Sequence, residues 1–202
     1  MNQAKENEYW YYLSEKISHK DCQRLINLNK DNWVEATAGG HRKEKGGSKR
    51  KTSSNVRKSE VAFVDDQWVY DLIWPFMTDA NENAGWKYNI VAAESCQIAR
   101  YTKGGFYTWH KDGIGAHNGA FNLPDNKFLH GNVRKLSMTI LLNGDYEGGH
   151  FQMHGDGNEI DTPVSGEGSV IVFPSFIEHQ VTPVTKGIRY SLVTWFVGPP
   201  FV

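Results

Sequence analysis

The sequence predicts a mainly β protein with a double-stranded β-helix (jelly-roll) core and supporting helices near the N-terminus. From residue 86 onward, apolar and polar residues alternate in short runs that Gly, Asn, Asp or Pro separate. Before residue 86, two stretches instead carry apolar residues at helical spacing. Two helices followed by about eight short strands are the pattern of a jelly roll.

Two helices are predicted in the N-terminal part. The first begins at Ser18, an N-cap candidate with Asp21 three residues later, and ends near Asn32. The second begins at about Asp66 and carries an apolar stripe that is typical of a helix packed on a core. Pro75 within this stripe indicates either a kink or the start of a new helix.

Eight short runs are predicted to contain strands because they are rich in β-branched and aromatic residues or alternate in polarity. They lie at 61–64, 86–90, 97–101, 106–112, 134–143, 147–154 (a turn and a short strand), 168–173 and 189–196. The aromatic run at 9–13 is either a further strand or a segment packed on the core.

Two segments are predicted to be loops. Residues 39–60 carry eight Lys or Arg residues between Arg42 and Lys58, and such a segment cannot bury enough apolar surface to offset its ordering entropy. It is predicted to be mobile, either as a solvated loop or as a flap that grips an acidic substrate. Residues 113–133 are too long for a tight hairpin and are predicted to be functional or mobile. No linker separates a second domain, so residues 1–91 are expected to pack on a core at 92–198.

The overall composition gives no reason to expect nucleic acid or a membrane as a partner. Lys and Arg number 22 and Asp and Glu 23, which gives a net charge of -1 and no strong field to attract nucleic acid or a membrane surface. Cys22 and Cys96 are too few for a disulfide scaffold, and the first thirty residues contain no apolar signal segment. We therefore expect a soluble, cytoplasmic protein in a reducing compartment.

A metal site is predicted around His110 and Asp112. Residues two apart on a strand project from the same face, so both side chains can reach one ion. His179, which follows a turn-prone segment, is the best candidate for the third ligand, with His150 and His154 as competitors. Two histidines and one carboxylate form the ligand set of non-haem Fe(II) oxygenases.

Arg189 supports this interpretation because it lies in an apolar strand. Strand parity places it on one face with Ser191, Val193 and Trp195. If that face lines the barrel, the guanidinium needs an anionic partner, since an unpaired buried charge is costly. Asp112 is committed to the metal, whereas a dicarboxylate cosubstrate could chelate iron at one end and bind arginine at the other.

These residues lie in three runs that resemble one family: YTKGGFYTWHKDG, then RKLSMTILLN with EGGHF, then GSVIVFPSFIEHQVTPVTKGIRYSLVTWF. They resemble the Fe(II)- and 2-oxoglutarate-dependent dioxygenases of the prolyl 4-hydroxylase type, above all the PKHD-type hydroxylases of bacteria and phages. The resemblance covers about 92–198. It implies that iron is bound by His110, Asp112 and His179, and that 2-oxoglutarate contacts Arg189 and Tyr101.

The chain departs from this family at one position. Several relatives have a tyrosine where this chain has Leu141, which puts a second hydrogen bond to the cosubstrate in doubt. Ser137 and Thr139 share the face of Leu141 and are candidates to replace that contact.

The resemblance implies an enzyme that uses Fe(II), 2-oxoglutarate and O2, with ascorbate as a possible reductant. The implied reaction is hydroxylation of a C–H bond of peptidyl proline, with succinate and CO2 as coproducts and a proline-containing peptide or protein as partner. Free amino acids, another side chain and nucleic acid are alternative substrates. Nucleic-acid demethylases of the superfamily have an R-x-N-x-T-x-R pattern after the distal histidine. The second arginine of that pattern is missing in this chain. A non-catalytic jelly roll with structural zinc is a further alternative, although a closed zinc site would have no use for Arg189.

Overall fold

The computed structural model describes residues 9–12, 15–28, 30–36, 55–113, 118–155, 158–162 and 164–201. The helices are α1 (His19–Leu28) and α2 (Gln67–Asn83). The strands are β1 (Trp10–Tyr12), β2 (Val34–Glu35), β3 (Arg57–Lys58), β4 (Glu60–Val64), β5 (Ala92–Ala93), β6 (Cys96–Tyr101), β7 (Phe106–His110), β8 (Val133–Leu141), β9 (Glu147–Gly148), β10 (Phe151–Gly155), β11 (Asn158–Asp161), β12 (Val170–Pro174), β13 (His179–Val181), β14 (Val184–Lys186) and β15 (Arg189–Gly198).

Two antiparallel sheets form the jelly roll that the sequence predicts. The larger sheet has eight strands, in the order β1-β12-β8-β15-β6-β4-β2, with β5 pairing to β15. The smaller sheet has five, in the order β11-β10-β13-β7-β3, and β14 pairs with β9 separately. The prediction of a mainly β fold is therefore confirmed.

The larger sheet separates two hydrophobic cores. One core lies between this sheet and the helices and includes Leu25, Ile73 and Leu136. The other lies between the two sheets and includes Phe151 and Phe173. Side chains that point into this second core come from both sheets, so residues distant in sequence meet there.

Helix α1 begins with the predicted cap. The Asp21 amide donates to Ser18 Oγ (3.1 Å), and the Ser18 hydroxyl donates to the Asp21 carboxylate (2.7 Å). The helix ends at Leu28, so the predicted end near Asn32 is wrong. The residues that follow are mostly Asn, Lys and Asp, and Asn and Asp favour turns because their side chains compete for backbone hydrogen bonds.

Helix α2 continues through Pro75 as one element. Proline removes one helical hydrogen bond and crowds the preceding turn. The helix persists because Val69, Ile73, Met77 and Ala80 are all buried along one face. In the described part of the chain, no helix has the length and apolarity needed to cross a bilayer.

The strand predicted at 86–90 is absent, and only Ala92–Ala93 pairs with β15 in this region. The side chain of Asn81 instead satisfies the backbone of Tyr88. Its amide nitrogen donates to the Tyr88 carbonyl (2.9 Å), and its carbonyl oxygen accepts from the Tyr88 amide (3.0 Å). The alternation of polarity at 86–90 therefore belongs to an irregular segment and not to a strand. Its buried Trp86 packs in the core between the larger sheet and the helices.

The two predicted loops lie partly outside the described residues. Of the basic segment at 39–60, residues 39–54 are outside them, and the remainder is more ordered than predicted, because Arg57–Lys58 forms β3 on β7 and β4 begins at Glu60. Of the second loop, residues 114–117 are outside. Residues 118–132 contain no named strand and are joined by an isolated bridge between Phe121 and His130.

Candidate metal and cosubstrate site

Three side chains that could hold a metal ion meet between the sheets. His110 ends β7, Asp112 follows it, and His179 begins β13, which pairs with β7 opposite His110. One ligand atom of each residue lies within 4.8 Å of the others. Among the described residues this is the one cluster of at least three His, Cys, Asp or Glu side chains with such spacing.

The competing histidines lie elsewhere. His154 stacks on Trp109, with ring centroids 3.9 Å apart, and its Nδ1 is 2.9 Å from the Glu178 carboxylate. His150 is exposed and directly precedes β10. Neither belongs to the cluster, so the structure favours His179 as the third ligand.

A β-bulge places Tyr107 beside His110. The register pairs His179 with His110 and Val181 with Tyr107, so three steps along β7 oppose two along β13. The Tyr107 and His110 rings therefore stack, with centroids 3.5 Å apart. Regular alternation along 106–112 would put Phe106 and Thr108 on the same face as His110 and Asp112, and the bulge prevents this. The Thr108 hydroxyl instead donates to the Val56 carbonyl (3.1 Å).

Both histidines are oriented by backbone carbonyls. His110 Nδ1 lies 2.8 Å from the Thr108 carbonyl, and His179 Nδ1 lies 2.9 Å from the Ile177 carbonyl. A proton on each Nδ1 satisfies these contacts and leaves Nε2 with a free lone pair. The Nε2 atoms lie 3.8 Å (His110) and 3.6 Å (His179) from the two carboxylate oxygens of Asp112. This is the arrangement by which carbonyl partners prepare histidines for metal binding.

Two serines hold Asp112. The Ser137 hydroxyl donates to Asp112 Oδ2 (2.7 Å) and lies 3.0 Å from the Ser175 hydroxyl, while the Asp112 amide donates to the Ser175 carbonyl (2.9 Å). Ser137 is thus committed to the carboxylate rather than free for a cosubstrate. Thr139 lines the pocket beside the cluster.

Electrostatics keep the cluster ready for a cation. Burial raises the pKa of Asp112, but His179, His110, Arg134 and the Ser137 hydrogen bond lower it, and the net shift is downward. Burial, and then His179, lowers the pKa of His110 to about 3. The carboxylate is therefore ionised and the imidazole of His110 neutral at physiological pH, which are the forms that bind a metal.

Arg134 reaches this region through a second irregularity. The β8–β15 register shifts between Phe196 and Val197 and leaves Lys135 without a cross-strand partner, so Arg134 lies opposite Val197. Its Nε and Nη2 donate to the Glu94 carboxylate (2.5 and 2.7 Å), and its Cζ lies 3.9 Å from the Trp195 ring centroid. Burial lowers the pKa of Arg134, but Glu94 raises it more, so the guanidinium stays charged.

Arg189 is buried without a carboxylate partner among the described residues. It is 1% exposed, Nη1 donates to Ser191 Oγ (3.0 Å), and Nε and Nη2 find no acceptor in the part of the chain that the structure describes. Tyr101 lies opposite it in the β6–β15 pairing, with the Arg189 Cζ 5.4 Å from the ring centroid. A buried guanidinium with free donors fits the distal carboxylate of a dicarboxylate, and the His, Asp, His donor set fits Fe(II).

One pocket joins these features. Its walls contain the three candidate metal ligands, Tyr101, Thr139 and the predicted face of β15, which comprises Arg189, Ser191, Val193 and Trp195. Its cavity volume is about 40 Å³, and we call it the metal-side pocket. The Trp195 Nε1 atom is a second buried donor without an acceptor in the described residues.

Arg57 also lines the metal-side pocket, although its sequence position predicted a loop. Its Cζ lies 4.6 Å from the Tyr107 ring centroid, and its Nε donates to Ser59 Oγ (2.8 Å). Sequence analysis missed Arg57 because it is the seventh of eight cations in one run and nothing local distinguishes it. Tyr107 and Arg134 were missed because bulges, which no glycine marks here, turn them inward.

Comparison with known proteins gives a consistent result. A sequence model of the 2OG-Fe(II) oxygenase superfamily matches residues 96–197. A PKHD-type hydroxylase from Synechococcus sp. is 32% identical over 50% of this chain, and one from Nitrobacter winogradskyi is 36% identical over 48%. Each alignment takes in 40% of the relative's own length.

Solved structures share the fold at low identity. The viral collagen prolyl hydroxylase of Paramecium bursaria Chlorella virus-1, in its 2OG complex, has a TM-score of 0.63 at 19% identity, covering 95% of this chain and 97% of its own. A Pseudomonas putida prolyl-4-hydroxylase has a TM-score of 0.63 at 20% identity, covering 94% and 92%. The likeness thus extends beyond the segment that the curated relatives match.

Proposed function

Because the chain belongs to the 2OG-Fe(II) oxygenase superfamily, we propose that it is a hydroxylase of peptidyl proline that binds iron through His110, Asp112 and His179. Fe(II), 2-oxoglutarate and O2 are the cofactor and cosubstrates of this superfamily. The observation that carries the proposal is the pairing of a metal-competent cluster with a buried arginine that has no counter-ion among the described residues. A metal site alone would not require Arg189, and an arginine alone would not require the cluster.

When bound, iron and 2-oxoglutarate supply the redox chemistry, in which O2 oxidises the 2-oxo acid to succinate and CO2 and hydroxylates a substrate C–H bond. The chain positions the reactants. The carbonyl partners of His110 and His179 orient the imidazoles, and Ser137 orients the Asp112 carboxylate.

The cosubstrate is anchored at the inner end of the pocket. Arg189 donates one hydrogen bond to Ser191 and offers its Nε and Nη2 donors to a carboxylate, which can accept them in a bidentate manner. Tyr101 is 2% exposed beside it and closes one wall with its ring. Apolar residues of the inter-sheet core, such as Phe151 and Val181, line the same pocket.

Two kinds of observation support peptidyl proline as the substrate. The fold is shared with proteins described as prolyl hydroxylases, including one from Trichoplax adhaerens in complex with a hypoxia inducible factor peptide fragment. In this chain, Trp195 lies opposite Ser137 in the β8–β15 pairing, which places it near Asp112. Its indole N–H has no acceptor in the part of the chain that the structure describes, and it suits a neutral acceptor such as a peptide carbonyl.

The test is mass spectrometry of proline-containing peptides incubated with the protein, Fe(II), 2-oxoglutarate and ascorbate. We expect a single added oxygen atom on proline and an equal amount of succinate. His179→Ala should abolish both products, whereas His154→Ala, a histidine outside the cluster, should retain them. Succinate formation without oxygen transfer to any proline peptide would keep the oxygenase chemistry and reject proline as the substrate.

A further inference from the structure

Arg189 separates two cavities between the sheets. On one side lies the metal-side pocket of about 40 Å³, and on the other lies a cavity of about 530 Å³ that we call the rear cavity. Arg189 and Phe151 border both. The rest of the rear wall includes glycine backbone and apolar side chains, among them Leu141, Gly144, Gly148, Gly149 and Val164.

The two cavities follow one another along the strands. On β8, Ser137 contacts Asp112, Thr139 lines the metal-side pocket and Leu141 lines the rear cavity. On β15, Trp195 lies opposite Ser137, and Ser191 lies opposite Leu141. A molecule that extends from the metal ligands past Thr139 therefore reaches the level of Leu141 and Ser191, where Arg189 borders both cavities.

The metal-side pocket has little spare room for a longer dicarboxylate. A cavity of about 40 Å³ holds only a few waters, since each needs roughly 10–15 Å³ of such space. A longer acid therefore requires a side chain to give way. The space adjoining Arg189 on the far side is the rear cavity.

The Arg189 side chain is free to retreat in that direction. One hydrogen bond to Ser191 restrains its guanidinium, while Nε and Nη2 make none to the described residues. Gly149 packs against its stem, and a Cβ at that position would lie 2.9 Å from Arg189 Cδ. The absence of a side chain at Gly149 leaves the arginine stem the room that it needs.

We propose that this distal-carboxylate site is extensible, so that the enzyme binds 2-oxo dicarboxylates at least one methylene longer than 2-oxoglutarate. The inference rests on the proposed role of Arg189. In a closely packed site an additional methylene would force strain on its neighbours. Here the longer chain displaces the guanidinium toward empty volume, and the contact between carboxylate and guanidinium is kept.

The test is calorimetric titration of the Mn(II)-loaded protein, without O2, with 2-oxoglutarate, 2-oxoadipate and 2-oxobutyrate. We expect 2-oxoadipate to bind within about tenfold of 2-oxoglutarate, and 2-oxobutyrate, which lacks the distal carboxylate, to bind much more weakly. Leu141→Phe and Val164→Phe each fill part of the rear cavity with a larger side chain, from a different wall. Each should weaken the binding of 2-oxoadipate by at least about tenfold relative to that of 2-oxoglutarate. Val91→Phe at the exposed surface should not.

The outcomes distinguish failure of the extensible site from failure of the proposed function. If the wild type binds 2-oxoglutarate but binds 2-oxoadipate more than about tenfold more weakly, the extensible site is refuted and the proposed function stands. Equal weakening of both acids by both cavity-filling variants would also refute it. If 2-oxoglutarate itself fails to bind, the assignment of Arg189 and the proposed function fall together.

Discussion

Replacing Arg189 by methionine should stabilise the protein in the absence of cosubstrate. In the structure, the buried guanidinium leaves Nε and Nη2 without acceptors among the described residues. Each buried unsatisfied group costs about 1–3 kcal/mol. Methionine is of similar length, removes both groups and loses the hydrogen bond to Ser191, which contributes about 1 kcal/mol.

The expected net gain in the free energy of unfolding is about 1–4 kcal/mol, as for other buried charges replaced by apolar side chains. For a domain of this size, each kcal/mol corresponds to about 2–4 °C in Tm. Urea denaturation of the metal-free protein measures this gain. In parallel, the Mn(II)-loaded wild type should gain about 2.7 kcal/mol at 2-oxoglutarate concentrations near 100 times the Kd, and Arg189→Met should gain only a small fraction of this.

Arg100→Met is the matched control. Arg100 lies on the same pair of strands, but its guanidinium is paired with Glu60 (2.6 Å) and partly exposed. This variant should lose up to about 1 kcal/mol and keep the stabilisation by 2-oxoglutarate. Lower stability of Arg189→Met than of the wild type, or stabilisation by 2-oxoglutarate as large as in the wild type, would refute this role of Arg189.

Three other predictions concern residues around the site. Ser137→Ala should weaken Co(II) binding about 10- to 100-fold in an absorbance titration, and Ser137→Thr should restore it; unchanged affinity would mean that the serine does not orient the ligand carboxylate. Trp195→Phe keeps an aromatic ring but removes the N–H, so it should raise the KM for a peptide about tenfold and leave the KM for 2-oxoglutarate unchanged, whereas the reverse pattern would assign the N–H to the cosubstrate. Burial raises the pKa of Cys22 and Cys96 to about 12, so neither thiol should react with a disulfide reagent at pH 8 until urea unfolds the chain, and rapid labelling of the folded protein would contradict their burial.

Strand parity correctly predicted which side chains of β15 face the site, but it failed on β7. On β15 the register with β6 is regular, so Arg189 and Ser191 point inward together as the alternation indicates. On β7 a bulge rotates the chain between Tyr107 and His110, and no glycine or proline in FYTWH marks it. Local sequence specifies the alternation of side chains, whereas a bulge depends on the partner strand.

Contacts between distant segments explain the remaining differences between the sequence predictions and the structure. The meeting of His179 with His110 depends on the pairing of β13 with β7, and the site of Arg57 depends on the pairing of β3 with the same strand. At 86–90, Asn81 takes the backbone hydrogen bonds that a strand would have used. None of these pairings has a signal in the segment itself, although the cap at Ser18 does and was predicted.

Anaerobic addition of Fe(II) and then 2-oxoglutarate, followed by visible absorbance, tests the central claim most directly. The wild type should develop a weak charge-transfer band only when both are present, because iron held by only His110, Asp112 and His179 would keep positions free for chelation by the cosubstrate. His179→Ala should develop no band, and His154→Ala should develop the full one. The absence of a band in the wild type, with tight binding of Zn(II) alone, would contradict the oxygenase site and favour a closed structural metal centre.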